Sequence, residues 1–528
     1  MKALKELIHL ITRYKRRQIE ILGYSEDSTS RYEVFYDRIE KGKLNTDEEA
    51  AAYLFGGKFD QYLNFKNSFK RRLVNSVFFI DLKQPEFNEA QMAYVNCWKN
   101  MAAVKLLQGR AAKHAATDLA KKTIGPAIKY ELTEVVLEMA RILKSYYGPF
   151  DGDRKKWDYY DQLAKDSAET LTAILKAESM YEELVIPYVK SRSSKPWIGE
   201  QAKKFLRELE PLAHKYPVYR LQLYYHLIAR IERASVHDYK GTEEVCRRAI
   251  QFFEGKSSTP KIGVAVFCHT LVVCLTMTGK YEEAERVAQK ASNLVEEGTT
   301  NWFKGKEQHL VLKFYQRDYT GAFDIFKKVT GHQSFPLLAG IEQESWKLYE
   351  GYIHLLAKAG KIQLQENEKS SSFRLAKFLN DVPEFSKDKR GMNVPVLIIH
   401  ALFLLYLHRH DEGYDRILAL EKYASRHLKE GDDTFRTWCF LQALLQIKKA
   451  DFRRKEAQSG AEEWLRRMGA VPVMLSDEPH EVEAIPYEHL WEMAMEALER
   501  GGVEIESSIE NLTDSLLSKP EFCSQLPS

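Results

Sequence analysis

The sequence predicts an all-α fold: a right-handed α-solenoid of stacked antiparallel helix hairpins, led by a helical N-terminal module and closed by a short helical and irregular C-terminal tail. Three observations predict it. A spacing pattern recurs along the middle of the chain; glycine and proline are sparse, 27 and 16 in 528 residues; and apolar residues follow helical periodicity between short punctuating segments. The recurring unit is clearest at Thr278-Gly279-Lys280-Tyr281-Glu282-Glu283-Ala284, with Ala288 and Ala291 after it. In a helical hairpin, an aromatic at the turn packs on the neighbouring hairpin. Three, seven and ten residues later the second helix needs small or apolar side chains, where helices approach closely. Tyr281, Ala284, Ala288 and Ala291 meet that need, as do Tyr319, Ala322, Phe326 and Val329 downstream and Tyr239, Thr242, Cys246 and Ala249 upstream. His410, Gly413, Ile417 and Leu420 form a fainter copy. The steps from Tyr239 to Tyr281 to Tyr319 are 42 and 38 residues, an irregular period within the range of helical solenoids.

The stretch Gly279-Lys280-Tyr281-Glu282-Glu283-Ala284 resembles the second-helix start of a tetratricopeptide repeat. The resemblance covers about three units, residues 222–330; the first-helix tryptophan, Leu-Gly pair and tyrosine of the family pattern and its closing proline are missing. It implies a concave groove, lined by the first helix of each unit, that holds a peptide or protein partner. Carried onto this chain, that register places His269, Val273 and Thr276 on the groove in one unit and Lys304, Glu307 and Val311 in the next.

A chain of this length exceeds one ordinary globular core, so several domains or an extended stack is expected. Charged residues at 29% and hydrophobic ones at 44% describe a folded chain rather than a disordered one. The first segment carries Lys2, Lys5, Glu6 and the Arg13 to Arg17 cluster where a secretory signal would need an apolar run. Cys97, Cys246, Cys268, Cys274, Cys439 and Cys523 are scattered without Cys-x-x-Cys spacing, which speaks against a disulfide framework or zinc site and for a reducing compartment. A cytoplasmic protein is expected. Ile262 to Gly279 runs 18 residues without a formal charge, but it holds His269 and three threonines and leads into the best repeat. It reads as a first helix covered on most sides, not as a membrane span.

Taken in order, residues 1–85 form an N-terminal helical module with basic clusters. An amphipathic helix occupies 1–22; Ser30 with Glu33 and Thr46 with Glu49 are capping boxes that start helices over 31–41 and 47–54. Gly56-Gly57 ends the second, and a basic helix follows from Asp60 to Asp81. Residues 86–190 are helical hairpins, read as continuous periodicity from Glu86 to Tyr146 and then a long helix from Asp153 toward Ile186, just before Pro187. A hinge-like linker, Ser191 to Pro196, opens the repeat array of residues 191–468. Within it fall a loop at Gly331 to Pro336, a helix from Ile341 to Ala359, a polar loop at Gln363 to Ser372 and an apolar helix at Val394 to Leu407. Residues 469–528 form an acidic linker, a helix over Tyr487 to Arg500 and a polar tail.

Charge is uneven along this order. Residues 1–125 hold 22 basic and 15 acidic groups, a difference of +7, and residues 461–528 hold 4 and 15, or −11. The short helix, glycine turn and basic helix at Thr46, Glu49, Leu54, Phe55, Gly56, Lys66, Lys70, Arg71 and Arg72 resemble the helix-turn-helix of winged-helix domains that precede tetratricopeptide arrays in some bacterial activators. No strand-turn-strand wing follows Phe78-Phe79-Ile80. Lys15, Arg16, Arg17, Lys66, Lys70, Arg71 and Arg72, interleaved with Tyr14, Phe65 and Phe69, are the candidate nucleic-acid contacts. The overall balance of +3 gives little of the positive field such proteins carry.

Phosphate-cradling, dinucleotide, zinc-protease and nucleophile-elbow motifs are absent, so neither an enzyme nor a cofactor or metal is expected. His269 beside Cys268, and His400, His408 and His410, match no standard ligand spacing. The expected function is a non-enzymatic scaffold or adaptor for a protein or peptide partner; the alternative is a regulator that contacts DNA or RNA through the N-terminal helices and senses a signal with the array.

Overall fold

A computed structural model describes residues 31–78, 82, 88–190, 195–256, 260–363, 393–427, 435–471, 473 and 483–499. Among these every regular element is helical and none is a strand. The chain divides into two compact units, one of residues 1–178, 212–222 and 256–260, the other of 179–211, 223–255 and 261–528.

The first unit opens with α1 (Arg31–Glu40), α2 (Asp47–Phe55) and α3 (Phe59–Val77). The Thr46 hydroxyl accepts from Glu49 N at 3.1 Å and the Glu49 carboxylate accepts from Thr46 N at 3.3 Å, the capping box read from the sequence. The other proposed box begins at Ser30, outside the described residues. Phe35, Tyr36, Ile39, Tyr62, Phe69 and Leu73 close a small core among the three helices. Next come α4 (Glu89–Gly109), α5 (Lys113–Lys129) and α6 (Thr133–Tyr147), packed as successive neighbours, with α4 also touching α6. The continuous periodicity expected over this stretch is thus cut twice. The helix α7 (Arg154–Lys190) is 37 residues long and passes through Pro187 instead of ending before it. A proline within three residues of the terminus removes one ladder donor where the helix is about to end in any case.

To α8 (Lys195–Lys215) and α9 (Tyr219–Ala234), which draw on both units, the second unit adds α10 (Tyr239–Glu254), α11 (Ile262–Met277), α12 (Tyr281–Leu294), α13 (Thr300–Tyr315), α14 (Tyr319–Thr330), α15 (Gly340–Lys358), α16 (Asn393–Tyr406), α17 (His410–His427), α18 (Phe435–Lys449) and α19 (Arg454–Gly469). The last helix among the described residues, α20, spans 487–499. Among the described residues, from α10 to α19 each helix packs on the next described one, and α11 also meets α13. This is the sequential stacking of an α-solenoid. One apolar core runs from Val273 to Leu498 through α13, α15, α16, α18 and α20.

A single turn geometry repeats between paired helices. Residues Ala111, Glu131, His237, Gly279, Arg317, His408 and Asp451 take positive φ between 50° and 71°. The amide that follows each bonds a carbonyl five residues back, as in Lys280 N to Leu275 O at 2.8 Å, Asp318 N to Lys313 O at 2.9 Å and Arg409 N to Leu404 O at 3.0 Å. That is the Schellman closure, which satisfies the orphan carbonyls of the first helix and reverses the chain. The second helix then starts at once. Tyr239, Tyr281, Tyr319 and His410, the first positions of the four repeats in the sequence, are the first residues of α10, α12, α14 and α17. Ala284, Ala291, Ala322, Val329, Cys246, Ala249, Ile417 and Leu420 behind them are buried.

A buried arginine fixes the end of the stack. Arg436 and Glu483 side chains are 7% and 4% exposed. The Arg436 guanidinium donates to both Glu483 oxygens at 2.8 and 3.0 Å, to Glu488 at 2.9 Å and to the carbonyls of Met468 and Val471 at 2.9 Å each. Tyr315 OH donates to Glu483 O at 3.0 Å, and Arg317 and Lys361 reach Glu492 and Glu496 on α20. Among the described residues no helix is long and apolar enough to cross a membrane, including the uncharged α11.

Candidate functional site

The six residues assigned to a groove lie within the helix layers. α11 packs on α10, α12 and α13, so nearly its whole length is covered and His269, Val273 and Thr276 are buried. The Thr276 hydroxyl is spent on Val272 O at 2.7 Å. In α13, Glu307 and Val311 are buried too. Glu307 accepts from Lys304 Nζ at 3.2 Å and from Tyr349 OH at 3.1 Å. Only Lys304, 31% exposed in its side chain, reaches solvent to any extent.

His269 nevertheless marks a site. With Ala288, Ser292 and Val295 from α12 and its end, and Trp302, Gly305, Lys306 and His309 from α13, it lines a recess of about 10 Å³, room for about one water-sized particle. The ring closes on the backbone of α13: a Cβ on Gly305 would stand 2.6 Å from His269 Nε2. That nitrogen, 94% of its residue being covered, meets no hydrogen-bond partner among the described residues. Burial pulls the His269 imidazole down to about 4, helped by the Lys304 charge, so the ring is neutral near pH 7.

Lys306 stands across from it. Its ammonium donates to Ser292 Oγ at 3.1 Å and lies 5.9 Å from the centre of the Trp302 ring. Burial, with the charge of Lys328, draws the ammonium below its ordinary range. The carboxylates nearby are engaged elsewhere. Glu285 accepts from His309 Nε2 at 2.8 Å and is ion-paired with Lys313 at 3.2 Å, and Glu297 accepts from Lys328 at 3.0 Å. Lys306 and Ser292 were missed in the sequence because a lysine and a serine on amphipathic helices look like solvent-facing positions. The available signal was Gly305, an interior helix glycine beside them, which marks close approach of another chain segment.

The N-terminal candidates are divided. Lys15, Arg16 and Arg17 lie outside the described residues. Lys66 is tied to Asp47 at 2.8 and 2.9 Å, with Tyr62 OH on the same carboxylate at 2.5 Å. The Arg72 guanidinium covers the Tyr32 ring at 4.5 Å, while Lys70 and Arg71 are exposed. Phe69 is fully buried, and Phe65 stacks on Tyr32 at 4.5 Å. Phe69 sits in the α1–α3 core and Phe65 packs against it, as their core-facing helical spacing implies. Cys97, Cys246, Cys268, Cys274 and Cys439 are buried, and none of them is in a disulfide.

No known protein family, curated protein or solved structure matches this chain.

Proposed function

We propose that this chain is a non-enzymatic helical-repeat adaptor of the tetratricopeptide-like kind, cytoplasmic, whose second unit holds a protein or peptide partner. The observation that supports this reading is the register of α10 to α14, where turn aromatic, small residues and Schellman closure recur in step with the family's second helix. Stacked pairs of this kind present a continuous face on which an extended or helical segment can lie. Lys304 is the place to test it, since its side chain is the accessible member of the six. A photo-crosslinking amino acid at position 304 should trap one partner in the native host, and Lys304→Glu should weaken recovery of that partner at least several-fold. Equal adduct from the exposed position Lys455, or recovery unchanged by Lys304→Glu, would overturn the reading.

A second reading, contact with DNA or RNA through the N-terminal helices, is favoured by Lys70 and Arg71, adjacent and exposed on α3. It requires a salt-dependent shift of labelled duplex or single strand that is lost when Lys70, Arg71 and Arg72 become alanine.

A further inference from the structure

The recess between α11, α12 and α13 combines a cation, directed donors and a tight size limit. Lys306 is partly buried and, among the described residues, has no carboxylate within ion-pair distance; Ser292 Oγ accepts from it at 3.1 Å, which leaves the hydroxyl hydrogen to point elsewhere. The neutral His269 ring, in the tautomer with hydrogen on Nε2, has a further donor there without a protein acceptor. Three donors, and a cation that no carboxylate touches, therefore face a space of about 10 Å³; Glu297 and Glu285 act on Lys306 only from a distance. Uncompensated buried charge is costly unless something of opposite sign meets it. Ala288, Val295, Gly305, His309 and the Trp302 ring form the rest of the wall and none carries a negative charge, so an anion in direct contact with the ammonium comes from outside the protein. The volume excludes sulfate, phosphate and other polyatomic anions with several heavy atoms. A halide is little larger than a water molecule.

We infer that this recess is a monovalent halide site, occupied by chloride under ordinary salt, with Lys306 supplying the charge and Ser292 Oγ–H and His269 Nε2–H the directed contacts. The anion joins the α11–α12 hairpin to α13 of the next. It also offsets the effects of burial and of Lys328 that pull the Lys306 ammonium down. The inference is independent of the adaptor reading and survives its failure, since it concerns an ion and not a partner.

Chlorine-35 NMR of the full chain tests it. The expected result is excess line broadening that grows in proportion to protein and falls as rising chloride saturates the site, is displaced by bromide and not by gluconate, and disappears in Lys306→Met while the exposed control Lys122→Met keeps it. Ser292→Ala, which retains the charge and removes one donor, should reduce the broadening several-fold; it decides the matter if Lys306→Met does not fold. At chloride above its dissociation constant, each tenfold rise should raise the folded-to-unfolded ratio about tenfold at fixed ionic strength. Broadening in Lys306→Met and Ser292→Ala equal to that of the parent would overturn the inference and leave the recess a water site only.

Discussion

Gly305 and His269 show how one missing methyl group positions a side chain. The imidazole fits against α13 because position 305 carries no Cβ; an alanine there would place carbon 2.6 Å from Nε2 and 3.2 Å from Cδ2. The ring lies among residues of α12 and α13 with 94% of the residue covered, and cannot swing into solvent as a flexible chain end would. Gly305→Ala should therefore destabilise the second unit by about 1–3 kcal/mol, the usual range for overpacking, even though alanine is the better helix former. Urea unfolding followed by tryptophan fluorescence checks the sign: a gain in stability would mean that the contact is loose. The same pair shows how far the site could be read from the chain. His269 is singled out by the repeat register, but as a groove residue; that Lys306 would stand beside it depends on a next-hairpin contact, α11 with α13, that periodicity within one helix does not encode.

At the scale of elements, the closing turns were half legible. Gly279 announced its turn because glycine takes positive φ without penalty, and the three tyrosines gave the starts of α10, α12 and α14. The turns at Ala111 and Glu131 carry no such mark, and for that reason the hairpins expected over Glu86 to Tyr146 have no boundaries placed in the sequence, where the structure has three helices. Left-handed backbone costs an L-residue about 1–2 kcal/mol relative to its normal conformation. Gly279→Ala should thus lose about 1 kcal/mol, and Ala111→Gly, at an exposed position with φ of 58°, should gain up to about 1 kcal/mol. Thermal or urea midpoints moving in the same direction for both would rule out a shared turn geometry. Arg436 belongs to this scale as well, because it joins α18 to the segment leading into α20. Removing its guanidinium in Arg436→Met leaves the buried Glu483 carboxylate unpaired, a change worth about 3–5 kcal/mol. Adding Glu483→Gln should restore much of the loss, and hydrogen exchange over residues 487–499 should rise in the single variant more than in the double. Similar exchange in both would mean that apolar burial of Tyr487, Leu490 and Trp491 holds α20 without the ion pair.

Across the second unit, a common electrostatic property follows from burying imidazoles in helix layers. His226, His269, His354, His400 and His489 are each drawn down from 6.5 to about 4, in every case first by burial. Above about pH 6.5 these rings are neutral whether the chain is folded or not, and stability does not respond to them. Between 6.5 and 4 the unfolded chain takes up protons that the native rings refuse, so stability falls as pH falls, by up to about 1.4 kcal/mol per pH unit for each ring fully protected. The paired carboxylates act later. Glu243, Glu285 and Asp318 are held below their ordinary values by Lys280 with Arg247, by His309 with Lys313, and by the Gly321 amide with Lys313, in each case against the opposing effect of burial, so their contribution is lost only as pH drops below about 4.5. The histidines set the downward slope from pH 6.5 to 5, opposed by Glu344 and Glu483, whose carboxyls burial pushes up. Urea midpoints of the full chain at pH 7, 6 and 5, read through the tryptophans of the second unit, should decline steadily over that interval. His269→Gln, which keeps a donor near Nε2 but cannot take up a proton in this range, should flatten the slope by at most one proton. A stability that stays level from pH 7 to 5 would mean that the helix layers open enough for solvent to reach these rings, and that the second unit is packed less tightly than its buried side chains imply.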